Sequence, residues 1–258
     1  MCRWFAIVGA MLVLPASADD KPIREFDLAT IEALGQHMYR QDQEAWKATD
    51  ILLAKHSLAD LQSGRIRAWI VDDDGSDLNV VRFIRSGANG PEAVYDVAFV
   101  PGEEPKLTEP LVGTLQSVEI AQYNARELAA ENFDFRCSNE PANTIAFWDP
   151  HGKSWLVWVM SVTKDPQQMM IGGHERFTIS ADGKSIIQKD ALSKSCLMLS
   201  KTGQSGEKPV AYYFTHIVSN TPVETHVFAS LSYRATFFVG TSATDVWSIE
   251  GGRITKVK

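Results

Sequence analysis

Short strand-like segments that follow one another through tight turns are the feature that most constrains the fold of this chain. In the strand-rich C-terminal half, runs of β-branched and aromatic residues alternate with turn sequences such as PHGK and ADGK. Strands joined by tight turns pair antiparallel, whereas parallel strands need long crossovers, so the pattern predicts an α+β fold instead of a doubly wound one. The predicted strands span residues 144–149, 154–162, 174–180, 185–191, 209–219, 224–233 and 236–240, followed by a hairpin over 245–257.

The N-terminal half combines helices with a smaller set of strands. Apolar residues at three- and four-residue steps predict one helix over 27–55 and a second over 108–131, with Thr108 as its cap. Between them, strands are predicted at 65–71, 78–85 and 93–100. We therefore expect two long helices packed on largely antiparallel sheets. We expect these helices and sheets to form a single domain over 19–258. The alternative is a chain that is subdivided near 105–135.

The first 18 residues have the features of an export signal. Arg3 precedes an apolar run from Trp4 to Leu14, and Ala16 and Ala18 form an A-x-A cleavage site. The run is too short to span a bilayer comfortably, and no later segment reaches the roughly 20 apolar residues that a membrane helix needs. The sequence predicts cleavage after Ala18, a periplasmic location and no membrane span.

Cleavage of this signal leaves two cysteines, Cys137 and Cys196. Thiols of exported proteins usually pair in an oxidising compartment, so the two residues predict one disulfide. A two-cysteine metal site is the alternative. It lacks the C-x-x-C spacing by which such sites are recognised.

The charge and the motifs of the sequence bear on two classes of ligand, nucleic acids and nucleotide cofactors. The chain carries 25 lysines and arginines against 32 aspartates and glutamates, a formal net charge of -7. Nucleic-acid binding needs clustered cations, so this composition predicts that nucleic acid is not a partner. Neither G-x-G-x-x-G nor G-x-x-x-x-G-K-[ST] occurs in the sequence, and we predict no cofactor.

Three segments point together to a group of known sequences. They are QHMYRQDQEAWKATDILLA (36–54), GGHERFTISADGKSIIQKDALSKSCLML (172–199) and PVETHVFASLSYRATFFVGTSATDVWSIEGGRI (222–254). These segments resemble uncharacterised exported proteins of Gram-negative bacteria, of the xanthomonad type. The resemblance covers much of the chain; it implies a periplasmic location and carries no assigned activity.

The predicted strand over 174–180 holds the first candidate binding residues. His174 and Arg176 share its polar face, because side chains alternate along a strand, and we expect this face to be open to solvent. The Gly-Gly pair before His174 suits a tight entry to the strand. The two residues either contact a ligand or belong to a hairpin that positions Cys196 for its disulfide.

His216 and His226 are the candidate metal ligands. If residues 209–219 and 224–233 pair as strands, His216 faces His226, and Glu224 lies on the same sheet face. Zn²⁺ accepts a His/His/Glu ligand set. The aromatic residues of that face equally suit a packed core in which the two imidazoles are hydrogen-bonded.

Asp42 is the third candidate binding residue, because it falls within the apolar stripe of the first helix. A carboxylate in that position is costly unless it is hydrogen-bonded or paired. It could bond to backbone amides of the sheet, form an internal ion pair or line a functional cleft.

The tryptophans do not predict a stacking platform. Trp155 and Trp158 lie three residues apart on one predicted strand, so they face opposite sides of the sheet. We interpret them as packing residues.

These observations favour an exported module that binds another protein. Its partner would be another envelope or secreted protein, and the module would act as an envelope accessory factor or an inhibitor. Exposed strand edges would provide the surface. The alternative is a hydrolase that uses His216, His226 and Glu224 to hold a metal.

Overall fold

The computed structural model describes residues 22–64, 66–72, 79–108, 113–203, 207 and 209–257, and the predicted signal peptide over 1–18 lies outside them. The elements of the N-terminal part are α1 (Leu28–Lys55), α2 (Leu58–Ser63), β1 (Ile66–Asp72), β2 (Asn79–Gly87), β3 (Gly90–Phe99), β4 (Lys106–Thr108), β5 (Gly113–Thr114) and α3 (Ser117–Glu131). The elements of the C-terminal part are β6 (Asn143–Asp149), β7 (Ser154–Met160), β8 (Gln168–Met170), β9 (His174–Ile179), β10 (Ile186–Ala191), β11 (Met198–Ser200), β12 (Tyr212–Thr215), α4 (Glu224–Tyr233), β13 (Phe237–Gly240), β14 (Val246–Glu250) and β15 (Arg253–Lys256).

The described strands form three sheets and one separate pair. The first sheet has the order β1-β2-β3-β4, with β5 also beside β3, and all its pairs are antiparallel. The second has the antiparallel order β10-β9-β7-β6, and β8 pairs separately with β11. The third has the order β12-β13-β14-β15, in which only β12 and β13 run parallel. The prediction of mixed helices and largely antiparallel sheets is confirmed.

The number of helices differs from the prediction of two long ones. The described part of the chain contains four helices, of 28, 6, 15 and 10 residues in chain order. The second predicted helix also begins later than expected, because Thr108 belongs to β4 and α3 starts at Ser117. Its start is fixed by the Glu119 carboxylate, which accepts a hydrogen bond from the backbone N–H of Gln116 at 2.6 Å.

The prediction of a strand over residues 224–233 was wrong, since this segment is α4. The helix connects β12 to β13, and these strands are parallel because the intervening helix supplies the crossover. As a helix, α4 packs closely on α1. A Cβ atom at Gly35 would lie 2.6 Å from Cγ1 of Val227, so α1 and α4 approach closely only because residue 35 is glycine.

The second sheet is covered on both faces. On one face, Ala121 and Ala125 of α3 belong to the same buried cluster as Trp155. On the other face, Met38 of α1 packs in a cluster with Trp158. Trp155 and Trp158 therefore lie on opposite faces, as the alternation of the strand predicts.

This double coverage corrects the expectation that the polar face of residues 174–180 is open to solvent. Every residue of β9 is buried, including His174 and Arg176. The strand lies between β10 and β7 within the sheet and has packed layers on both sides. A central strand of a doubly covered sheet is buried even at its polar positions, and those positions then need internal partners.

The predicted disulfide between Cys137 and Cys196 is confirmed. The two Cα atoms lie 5.5 Å apart, and the bridge joins the segment after α3 to the segment before β11. Gly173 packs directly on it with a φ of +78°, and a Cβ atom at this position would overlap Sγ of Cys137. The Gly-Gly entry to β9 thus makes room for the disulfide.

The beginning and the end of the described chain are joined. On α1, the Glu32 carboxylate accepts hydrogen bonds from the backbone N–H of Ile254 at 2.6 Å and from Arg253 Nη1 at 3.0 Å. One turn further on, Gln36 donates to the carbonyl of Gly252 at 3.1 Å. None of the described helices is long and apolar enough to cross a membrane.

Candidate functional site

A cleft of about 800 Å³ lies at the N-terminal end of α3, against the ends of β6 and β7. A volume of this size is in the usual range for ligand sites in proteins. Its lining includes side chains from α1, β1, α3 and the second sheet, together with the turn after β9: Gln41, Val71, Ser117, Val118, Glu119, Ile120, Ala121, Gln122, Asn124, Phe147, Trp148, Trp155, Ala181, Asp182 and Lys184.

The cleft runs along the free edge of β6. Phe147 packs in the α1-side cluster of the second sheet, whereas its neighbour Trp148 contacts Trp155, which packs in the α3-side cluster. Successive side chains of a strand point to opposite faces, so a cleft lined by both residues must pass around the strand's edge. β6 is an edge strand of its sheet.

The edges of the first and second sheets meet beside this cleft. Val71 belongs to β1, which is the edge strand of the first sheet. The side-chain amide of Gln122 on α3 donates to the carbonyl of Val71 at 3.0 Å and to the carbonyl of Ala146 at 3.1 Å. One helix side chain therefore occupies hydrogen-bonding positions on two strand edges at once.

Two tryptophans form the apolar wall of the cleft. Trp148 is 40% exposed and contacts Trp155 edge to face, with 5.4 Å between ring centroids. Trp155 is buried, and its indole N–H donates to the carbonyl of Ala181 at 3.2 Å. Val118, on the first turn of α3, is 56% exposed. An open aromatic ring supported by a fixed one is a suitable contact surface for a partner.

Gln41 contributes a buried polar group to the opposite wall. The residue is 1% exposed, and its side-chain nitrogen lies 3.2 Å from Nε2 of His37. Its side-chain oxygen is buried without a hydrogen-bond partner among the described residues. A buried amide oxygen without a partner is unusual, and Gln41 is one of the residues that line the cleft.

Ionic contacts hold the α3 side of the cleft in place. The buried Glu119 carboxylate forms an ion pair with Arg82 of β2, which also pairs with Asp96 of β3 at 2.6 Å. The hydrogen bond to Asp96 and the two carboxylate charges raise the pKa of Arg82 above its ordinary value, although burial opposes them. The N-terminal turn of α3 is thereby fixed to the first sheet.

Arg176, one of the predicted binding residues, is at the centre of a buried ionic network. Its guanidinium bonds to Asp190 of β10 and Glu224 of α4, each at 2.7 Å, and to the backbone carbonyl of Arg24. Burial acts to lower the pKa of Arg176, but the charges of Glu224 and Asp190 outweigh it, and the pKa is raised. The residue links β10, α4 and the segment before α1.

The three predicted histidines are buried near one another, away from the cleft. His216 and His226 contact edge to face, with 4.7 Å between ring centroids, although α4 carries His226 and no strand pair brings them together. Burial lowers the pKa of His174 and of His216 to about 4 each. Burial, together with the charges of His216 and His174, lowers the pKa of His226 well below its ordinary value. The imidazoles are therefore neutral at pH 7.

Glu224 does not join His216 and His226. Its carboxylate bonds to Arg176 and accepts a hydrogen bond from the indole N–H of Trp158 at 2.7 Å. In the part of the chain that the structure describes, no three histidine, cysteine, aspartate or glutamate side chains are grouped so as to hold a metal ion. The predicted His/His/Glu ligand set is not assembled.

Asp42 connects α1 to β6. Its carboxylate accepts a hydrogen bond from the side-chain amide of Asn143 at 2.7 Å, and burial raises the pKa of Asp42. The expected hydrogen bond to the sheet is present, with a side-chain amide as donor where a backbone amide was expected. Its neighbour Gln41, which sequence analysis did not select, is the residue that lines the cleft.

Comparison with known proteins gives no family. No family model matches this sequence, and no curated protein matches it.

Proposed function

We propose that this protein is an exported binding module that holds a segment of another envelope or secreted protein in the cleft along the edge of β6. The observation that carries this proposal is the lining of the cleft. It combines exposed apolar side chains, Trp148 and Val118, with the unpaired buried oxygen of Gln41. Exposed aromatic residues beside buried polar groups are typical of protein interaction sites.

The two carboxylates of the lining support binding over catalysis. Glu119 is engaged by Arg82 and by the backbone N–H of Gln116. Asp182 accepts hydrogen bonds from the Ser180 hydroxyl at 2.6 Å and from the backbone N–H of Lys184 at 3.1 Å, and these bonds lower its pKa. Both carboxylates are held in structural roles.

Export is part of the same proposal. The first 18 residues have the charge pattern, apolar run and A-x-A site of a signal peptide. The Cys137–Cys196 disulfide supports an oxidising compartment. Fractionation of the native host with N-terminal sequencing tests this point, and we expect the mature chain in the periplasm with Asp19 as its first residue. A cytoplasmic chain that retains residues 1–18 would contradict export.

Peptide display tests the binding function directly. The protein, purified with its disulfide intact, is used to select from a library of displayed peptides, and the affinity of selected peptides is measured by titration. We expect Trp148→Ala to weaken binding by roughly tenfold, because it removes the exposed aromatic contact. Trp46→Ala is the matched control, since Trp46 is 64% exposed on α1 and does not line the cleft.

Two outcomes would overturn the proposal. The first is that no peptide is enriched over a library selected without the protein. The second is that enriched peptides bind the Trp148→Ala and Trp46→Ala variants equally well.

A further inference from the structure

Beyond Ala146, the side of β6 that faces away from β7 has no backbone partner among the described residues. The carbonyl of Ala146 accepts from Gln122, so it points away from β7. Backbone groups of alternate residues in a strand point to the same side, so the N–H and C=O of Trp148 also point away from β7.

The neighbouring strands agree with this assignment. The backbone N–H of Ser161 donates to the carbonyl of Gly173, which continues the β7–β9 pairing beyond Met160. The odd-numbered residues of β7 therefore bond towards β9 and the even-numbered ones towards β6. Leu156, the partner of Phe147, bonds to β6, and the outward side of β6 is left to Ala146 and Trp148.

We infer that the segment held in the cleft is extended and pairs as an added β-strand with the free edge of β6 at Trp148. This inference rests on the proposed function and specifies the form of its ligand. Gln122 already provides one strand-like hydrogen bond to this edge, at Ala146. Among the described residues, no side chain makes the equivalent contact with the backbone of Trp148.

The two walls of the cleft define which sequence the added strand carries. Side chains of an extended segment alternate, so one set faces the α3 side and the other faces the α1 side. The α3 side presents Val118 and Trp148, which favour apolar residues at every second position. The α1 side includes Phe147 and Gln41, and the unpaired side-chain oxygen of Gln41 favours a hydrogen-bond donor at one intervening position.

An extended protein segment fits these features better than a small molecule does. A small apolar molecule would fill the wall at Trp148 but would leave the backbone groups of β6 and the oxygen of Gln41 unpaired. Edge pairing of an extended segment satisfies the backbone and places alternate side chains in the two walls, which is the usual mode of β-strand addition.

The test is a methylation series on a displayed peptide that binds the wild-type protein. Each backbone N–H is replaced singly by N-methyl, and the affinity of each peptide is measured by titration. Edge pairing at Trp148 predicts that N-methylation weakens binding by roughly tenfold at one position, the residue whose N–H donates to the carbonyl of Trp148. N-methylation of the residues on either side of it, whose N–H groups point away from β6, should change affinity less than about twofold.

The outcomes separate this inference from the proposed function. A peptide that binds through Trp148 but has no methylation-sensitive position flanked by two insensitive ones would overturn strand addition and leave the binding function intact. Failure to select any peptide would overturn both. Self-association of the protein at Trp148, seen as a dimer in sedimentation that Trp148→Ala abolishes, would make a second copy the occupant and would also overturn the inference.

Discussion

Arg176 and Glu224 are 48 residues apart in the chain and form an ion pair in which both side chains are 1% exposed. A pair of this kind does not add stability in proportion to its Coulomb energy, because both charges lose their hydration. Removal of one partner is different, since it leaves an uncompensated charge in the core. Asp190 and the carbonyl of Arg24 complete the network around the guanidinium.

Arg176→Ala should therefore lower the free energy of unfolding by about 3 to 5 kcal/mol, because Glu224 and Asp190 lose their buried counter-ion. Arg253→Ala is the control, since the Arg253 side chain is 76% exposed and pairs with Glu32 at the surface. The control should cost less than about 1 kcal/mol. Urea unfolding measures both variants, and equal losses would contradict a structural role for the buried network.

Asp42 and Asn143 provide a second test. Asp42→Ala should lower the free energy of unfolding by about 1 to 3 kcal/mol, because it leaves the amide of Asn143 without its acceptor. Asp50→Ala, on the exposed side of the same helix, should change it by less than about 0.5 kcal/mol.

Asp42→Asn should retain most of the stability at pH 7. Burial raises the pKa of Asp42 in the folded protein, so its stabilising contribution is greatest at low pH and is lost as the pH rises through the folded pKa. A neutral amide avoids that loss and can still accept from Asn143. An Asn variant as unstable as the Ala variant would contradict this account.

The three buried histidines predict a loss of stability in mild acid. His174, His216 and His226 have folded pKa values below 6.5, so the unfolded chain binds protons first as the pH falls. Their contribution is fully present above pH 6.5 and is lost as the pH falls from 6.5 towards about 4 for His174 and His216.

Chemical unfolding at several pH values measures this effect. Replacement of His216 by Gln should reduce the loss of stability between pH 6.5 and pH 5 by about 2 kcal/mol, because glutamine does not titrate. His151→Gln, in the exposed turn between β6 and β7, is the control for replacement of a histidine as such. Identical pH profiles for the wild type and the His216 variant would rule out this role for burial.

Gly173 offers a test of packing on the disulfide. Gly173→Ala and Gly102→Ala both place a side chain on left-handed backbone, with φ of +78° and +82°. Only at Gly173 does the new Cβ atom meet other atoms, namely those of Cys137 and Ser161, whereas nothing lies within 4 Å at Gly102. We expect Gly102→Ala to cost about 1 kcal/mol, and Gly173→Ala to cost about 1 to 3 kcal/mol more, by thermal unfolding. Equal costs would show that backbone strain alone acts at both positions.

The sequence predicted those elements whose hydrophobic periodicity and turn residues can be recognised within a short stretch of the chain. The helix over 27–55 and the hairpin of β1 and β2 have clear periodicity, and Cys137 and Cys196 had one partner each after removal of the signal. The segment over 224–233 was misassigned because its threonine, valine and aromatic residues favour strands. In the structure the segment is a helix that packs closely against Gly35 of α1, a contact that is distant in the sequence.

The cleft could not be predicted from the sequence, because its parts come from separate regions. Gln41, Val71, Val118 and Trp148 come together only when α1, two sheet edges and α3 pack against each other. The sequence did identify the opposed faces of Trp155 and Trp158. It did not reveal that Trp148, directly opposite Trp155 on the neighbouring strand, remains exposed.

The contacts of Glu32 with Arg253 and Ile254 join the first described helix to the last described hairpin. A chain made or exported from its N-terminus presents α1 first, yet the hairpin of β14 and β15 that packs against it is the last described element to emerge. Until residue 254 is available, the helix lacks part of its buried surroundings. The contacts between α1 and this hairpin therefore form only after residue 254 has been made.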